Sequence, residues 1–281
     1  MKVPTYFARR FVAGETPESA VAVGRSLHAR GIKATFDLLG EDVLDREAAR
    51  RCAEANKALL RLIPDEVERN VSIKLSNLGL DISQDFCLEL LAGVLDAARE
   101  VEGVVRIDME GSKHTQVTID VFQRLRKDHE NVGIVFQAYL RRTEEDVKQA
   151  VARGDRVRLC KGAYKEPESV AWKKMDDIRG SFRRCARLLL DGGHRPALAT
   201  HDEGLIQDAL AYTREKSIPA DRFEFQMLYG LRPRRWDELV RAGHDVRIYV
   251  PYGSHWFPYF YRRLRERKEN LFFVLKSLVG G

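Results

Sequence analysis

Arg156-Val-Arg-Leu-Cys-Lys161 is a short β-rich run that closes on polar, charged residues. Seven comparable runs lie along the chain, at 34–39, 71–75, 104–109, 133–139, 197–200, 223–227 and 246–250. Successive starts fall 23 to 41 residues apart, the repeat of a strand followed by a helix. Between them lie segments with helical periodicity. In 85–100, Leu88, Leu91, Ala92 and Leu95 recur at i, i+3, i+4 and i+7, and Ser83 ahead of them suits an N-cap. Thr143-Glu-Glu-Asp146 reads as another helix start, with Thr143 as N-cap and acids set against the helix dipole. Eight strand–helix repeats in about 250 residues predict an α/β protein with a (β/α)8 TIM barrel. An open doubly wound sheet would want a glycine-rich first turn. No linker or low-complexity tract divides the sequence, so a single domain over 1–281 is expected, with 1–30 as a lead-in helix.

The 281 residues are 44% hydrophobic and 32% charged, which suits a globular chain and excludes disorder. No apolar run nears the ~18 residues of a membrane span, and the first residues lack a signal-peptide core, so a cytoplasmic chain is expected. Cys52, Cys87, Cys160 and Cys185 stand far apart and read as reduced thiols. The net charge of +6 is spread along the chain and is compatible with nucleic acid, a membrane surface or an anionic small ligand. Glycine spacing rules out GxGxxG, Walker A and GxSxG, and no two histidines lie within four positions, so HExxH is absent.

Barrel chemistry sits at the carboxyl ends of the strands. Here those ends carry Asp37, Lys74, Asp108 with Glu110, Gln137, Arg158 with Lys161, Thr200-His201, Gln226 and Tyr249. Burying so many polar groups is costly unless they pair with one another and with a ligand. Lys74, Arg158 and Lys161 point to an anionic or electron-rich ligand and oppose a divalent metal, so no metal site is expected. Near the C-terminus, Tyr259, Arg262, Arg263 and Glu266 share one helix face. That face reads either as a solvated basic surface, the usual reading of a charge run, or as a cover over the barrel mouth whose adjacent arginines capture a carboxylate or phosphate.

Arg158-Leu-Cys-Lys-Gly-Ala-Tyr164 with Glu166-Pro167 resembles the RLVKGAYxEP signature of the proline dehydrogenases. Ser72-Ile-Lys-Leu75, Arg106-Ile-Asp-Met-Glu110, Phe136-Gln-Ala-Tyr139, Ala199-Thr-His-Asp202, Phe223-Glu-Phe-Gln-Met-Leu-Tyr-Gly230 and Val246-Arg-Ile-Tyr-Val-Pro-Tyr-Gly253 are similar to further family segments, in the same order. Tyr259-Phe-Tyr-Arg-Arg-Leu-Arg-Glu266 resembles the family's last helix. The likeness runs from about residue 8 to the C-terminus and is nearest to the monofunctional bacterial enzymes.

The resemblance implies a distorted barrel that binds FAD without a Rossmann motif, with the final helix over the mouth. It implies oxidation of L-proline to Δ1-pyrroline-5-carboxylate, hydride passing from proline C5 to flavin N5 and electrons then to a membrane quinone. Any membrane contact would be peripheral, on the inner face of the cytoplasmic membrane. Arg262 and Arg263 would grip the substrate carboxylate, Glu266 would hold them, and Lys74 would join them. Asp108 would partner Lys74 and accept a proton. Tyr249, Tyr259 and Leu228 would wall the ring pocket, and Tyr249 would crowd a 4-hydroxyl, disfavouring hydroxyproline. Toward the cofactor, Arg158 would lie near N5, with Gln137, the Met109 backbone, Lys161, Gly162 and Ala163 along the flavin. Gly162 would permit close backbone approach, and Thr200 and His201 would reach the phosphate and adenosine. Two departures stand out: Cys160 replaces the usual valine, and Gly111 takes a place where an acid is common, which predicts a looser loop. The competing readings are another barrel flavoenzyme, such as a hydroxyproline dehydrogenase or a methylenetetrahydrofolate-reductase-like protein, and a non-enzymatic nucleic-acid binder. The adjacent arginines oppose the reductase-like reading, and aromatic residues placed as core oppose the nucleic-acid one.

Overall fold

The computed structural model describes residues 10–40 and 42–257. Of the expected lead-in helix, the described part is helical only over α1 (Pro17–His28). Pro17 opens α1, and the Thr16 side chain accepts from Ser19 N–H at 3.3 Å.

Eight strands then alternate with helices, as the repeat predicts. They are β1 (Lys33–Leu38), β2 (Asn70–Ile73), β3 (Val104–Ile107), β4 (Val132–Gln137), β5 (Arg156–Cys160), β6 (Ala197–Ala199), β7 (Glu224–Leu228) and β8 (Asp245–Tyr252). Each pairs in parallel with the next, and β1 also pairs with β8, Thr35 against Tyr249, so the sheet closes. The intervening helices are α2 (Arg46–Leu62), α3 (Gln84–Glu100), α4 (Ser112–Arg126), α5 (Thr143–Arg153), α6 (Met175–Gly192), α7 (Glu203–Glu215) and α8 (Pro233–Arg241). Strands β2, β3 and β4 stop about two residues short of the expected ends. After β2, Leu75–Leu78 form one 3-10 turn, ended by Gly79 at φ 76°.

Helix starts are set locally. Ser83 caps α3 by accepting from Phe86 N–H at 3.4 Å. Thr143 is not an N-cap. It is the first residue of α5, and its hydroxyl donates to Gln137 O at 2.6 Å, joining the helix to the end of β4.

Val71, Ile73, Val105, Ile107, Ile134, Val157, Leu159, Leu198, Phe225, Val246 and Ile248 are buried in one core shared by strands and helices. Each such side chain stabilises the fold by about 1.5–3 kcal/mol. The interleaved positions are polar: Thr35, Asp37, Ser72, Arg106, Arg158, Gln226 and Arg247 are all buried. Arg158 of β5 hydrogen-bonds Ser72 of β2, strands that are not neighbours, so these side chains meet inside the barrel. A TIM barrel is normally filled with branched apolar residues, so this polar filling is a departure that must be satisfied by internal pairing.

Candidate active site

At the carboxyl end of the barrel, Lys74 places Nζ 3.0 and 3.2 Å from the two carboxylate oxygens of Asp37. Asp108 follows β3, with its Oδ2 4.0 Å from Lys74 Nζ. Closer donors hold Asp108: Arg158 Nη1 donates to Oδ1 at 2.8 Å, and the Tyr249 hydroxyl donates to Oδ2 at 2.7 Å. Arg158 also donates to Ser72 Oγ at 2.9 Å, and its guanidinium carbon lies 5.4 Å from the Tyr249 ring centroid. Ser72 Oγ is 3.2 Å from Thr35 Oγ1. Lys74 and Asp108 therefore share a site, but the nearer partner of Lys74 is Asp37.

Two carboxylates and two cations balance in charge here, which is what makes their burial tolerable. Burial pushes Asp37 up to about 6, with Asp108 adding to the rise and Lys74 opposing it. Burial works against the Lys74 charge, but Asp37 and Asp108 more than offset it and hold the amine above the usual lysine range. Burial, then the Asp108 charge, push the Tyr249 phenol well above its ordinary value, so it stays a donor.

The rim is tied down by side chain to backbone bonds. Gln137 Nε2 donates to Glu110 O at 2.8 Å. Glu110 accepts from Ser76 N–H at 3.0 Å and from Ser76 Oγ at 2.5 Å. Met109 is buried, Ala163 is exposed, and Lys161 reaches Asp202 at 3.3 Å. Thr200 Oγ1 accepts from Asp202 N–H at 3.1 Å, and Leu228 N–H donates to His201 Nε2 at 2.9 Å. Gly162 has φ 107°, and a Cβ there would stand 2.1 Å from a Tyr139 ring carbon. The close approach that requires glycine is thus that of Tyr139. Nor is the loop at Gly111 loose. The Glu166 carboxylate accepts from Ser112 N–H at 2.6 Å and from the Ser112 hydroxyl, capping α4 from across the mouth. Cys160 is half-buried at the end of β5, and burial pushes its thiol up to about 11, so the replacement for valine is inert.

The family profile described as Proline dehydrogenase matches residues 20–276. Proline dehydrogenase 1 of Bacillus subtilis subsp. natto is 41% identical over 276 residues, 97% of this chain and 90% of that protein. The chain belongs to the proline dehydrogenase family. The Proline dehydrogenase of Deinococcus radiodurans is 35% identical, covering 98% of this chain and 90% of that one. The barrel superposes with a TM-score of 0.85 on proline utilization A (PutA) from Bdellovibrio bacteriovorus, crystallised inactivated by N-propargylglycine, at 28% identity. That match covers 92% of this chain and 32% of the PutA chain, so the chain spans about a third of that protein.

Membership in the proline dehydrogenases raises the question of FAD. The donor set fits it: Gln137 and Arg158 suit the carbonyl and ring-nitrogen acceptors of a flavin, and Lys161 with the Thr200 hydroxyl just ahead of α7 suits a phosphate. Arg158 Nε is buried without a hydrogen-bond partner, so donor capacity is left at that centre. Tyr259, Arg262, Arg263 and Glu266 lie outside the described residues. Asp37 was visible in sequence as a strand-end acid, but its pairing with Lys74 was not. Ser72, two residues before Lys74 on the same strand face, could have been found by that period. The Glu166 cap left no sequence signal beyond its place in the signature.

Proposed function

We propose that the chain oxidises L-proline to Δ1-pyrroline-5-carboxylate with FAD, passing the electrons to a quinone. The observation that carries this reading is the buried Asp37–Lys74–Asp108–Tyr249–Arg158 cluster at the mouth of a proline dehydrogenase barrel. The barrel is read as one catalytic domain. Among the described residues no helix is long and apolar enough to cross a membrane, so delivery to a membrane quinone would be through a peripheral contact.

FAD would be held by Arg158, Gln137, the Met109 backbone, Lys161, Gly162 and Ala163, with Thr200 and His201 toward its phosphate and adenosine. When bound it supplies a two-electron acceptor for the hydride from the proline ring. The protein's part is orientation and charge. Lys74, kept protonated by its two carboxylate neighbours, faces the substrate carboxylate together with Arg262 and Arg263, which Glu266 steadies. Asp108, oriented from both sides by Arg158 and Tyr249, takes the proton from the substrate amine. Tyr249, Tyr259 and Leu228 bound the ring. The Tyr249 hydroxyl is already committed to Asp108, so it cannot swing aside for a 4-hydroxyl without losing that bond, which favours proline over hydroxyproline.

An absorbance spectrum of the purified protein, taken with and without L-proline in the absence of oxygen, tests the reading. Flavin bands that bleach with proline are expected. Bands that bleach only with another donor overturn the substrate, and a protein that neither carries nor takes up FAD overturns the cofactor.

A further inference from the structure

The opposite end of the barrel holds a cavity of about 400 Å³. It lies at the amino ends of the strands, where Arg106, Arg156 and Arg195 line it beside Glu224, Arg247 and Glu130. Arg247 is satisfied: it bonds Glu224 at 2.9, 3.0 and 3.1 Å and Glu68 at 2.8 Å. Arg106 is not. It is 5% exposed, its Nη1 donates only to Arg156 O at 2.9 Å, and its Nε is buried without a partner. Among the described residues no carboxylate oxygen lies within 4 Å of Arg106, Arg156 or Arg195.

The strand next door is shaped for this guanidinium. Gly133 pairs with Arg106 across β3 and β4, and a Cβ at Gly133 would stand 2.8 Å from Arg106 Nη1 and 2.9 Å from Arg156 O. Any side chain there would evict the arginine. A buried cation without a counter-ion costs several kcal/mol, so a position built to hold one and leave it unpaired calls for an anion from outside. Burial, with the charges of Arg158 and Arg247, pushes Arg106 down to about 9, and the charge of Glu224 opposes this without restoring the ordinary value. No acid among the described residues at this end bonds it. Glu224 and Glu68 bond Arg247, Asp245 bonds Lys33, and Glu102, Glu130 and Asp221 are exposed at the rim, where water screens them.

We propose that this cavity is a binding site for a phosphate-class oxyanion, seated on Arg106 with Arg156 and Arg195 closing on it. Three guanidiniums around one space suit a tetrahedral anion with several acceptor oxygens better than a planar carboxylate, which one guanidinium saturates. The site is separate from the mouth and independent of the reaction proposed for it. Because such an anion binds the folded chain, occupancy stabilises the barrel in proportion to ln(1 + [anion]/Kd).

The test is calorimetric titration of the FAD-loaded protein with inorganic phosphate, at ionic strength fixed with chloride. Thermal melts run under the same conditions. The expected result is one site per chain and a melting temperature that climbs with phosphate. Arg106→Gln weakens affinity about tenfold or more, as loss of a charge-assisted bond predicts. Arg195→Ala, a change at an exposed position that the fold tolerates, weakens it severalfold and decides the matter if the Arg106 variant does not fold. Lys113→Ala, exposed at the start of α4 on the mouth side, leaves phosphate affinity unchanged. No binding beyond the chloride control, or binding undiminished by the Arg195 and Arg106 changes, overturns the proposal.

Discussion

Tyr249, on β8, donates its hydroxyl to Asp108 Oδ2 at 2.7 Å, and Asp108 follows β3 on the far side of the barrel. The bond spans the interior and fixes one oxygen of the carboxylate while Arg158 fixes the other at 2.8 Å. Tyr249→Phe removes that hold and keeps the ring. A hydrogen bond to a charged group is worth about 1.5–3 kcal/mol. With the phenyl ring still beside Arg158, the flavin content of the purified variant should match the parent, and kcat/KM for proline should fall about tenfold or more. An unchanged kcat/KM would show that Asp108 needs no such orientation.

Asp37 is the only carboxylate within 3.5 Å of Lys74 among the described residues. Asp37→Ala leaves a buried lysine facing Asp108 alone. Breaking one side of a buried ion pair costs about 3–5 kcal/mol. A large drop in melting temperature is expected, with a rise in KM for proline from a misplaced amine. Asp37→Asn, which keeps an acceptor for Lys74, should recover part of both.

Strand placement and the polar mouth were legible in the sequence because both are local signals. A β-rich run closing on Lys161 declares its own end. What was not legible depends on register. Asp37 stands opposite Ser72, two residues before Lys74, and only the β1–β2 pairing brings the acid to the amine. Arg106 and Arg247 read as charges in ordinary strands, since nothing local shows that they face a closed interior. Glu166 caps a helix 54 residues earlier in the chain, a distance no capping pattern reaches.

Glu224 ties stability to acid pH. Burial opposes its charge, but the bonds and charge of Arg247 more than offset this and hold its carboxyl down at about 2, below the ordinary value of 4.5. A depressed acid contributes stability that is fully present above pH 4.5 and is lost as pH falls through about 2. The full contribution is about 3 kcal/mol. Glu224→Gln should therefore melt lower at neutral pH and show a shallower loss of stability from pH 4.5 downward. Parallel pH–stability curves for the two proteins would refute the assignment.

The Glu166 cap should govern the loop between β5 and α6 rather than the barrel. Its carboxylate holds Ser112 at the start of α4, while Arg141 N–H donates to Val170 O at 2.9 Å and Trp172 N–H to Tyr139 O at 2.7 Å further along. Glu166→Ala is expected to lower global stability by only about 1 kcal/mol, the usual worth of a cap. Hydrogen exchange across residues 161–170 and 111–114 should quicken while the strands stay protected.

Gly162 carries two demands that can be separated by mutation. Its φ of 107° lies where a side chain is strained, and the space beside it is taken by the Tyr139 ring. Gly162→Ala should cost more than the roughly 1–3 kcal/mol of backbone strain alone, because the new methyl must also displace the ring. Tyr139→Leu added to Gly162→Ala opens that space but leaves φ unchanged. The double variant should then be more stable than the two single losses summed, by the size of the relieved clash. If the two losses simply add, the methyl meets no ring and the strain is wholly in the backbone. Flavin retention read on the same samples reports whether the 161–163 segment must keep this shape to hold its cofactor.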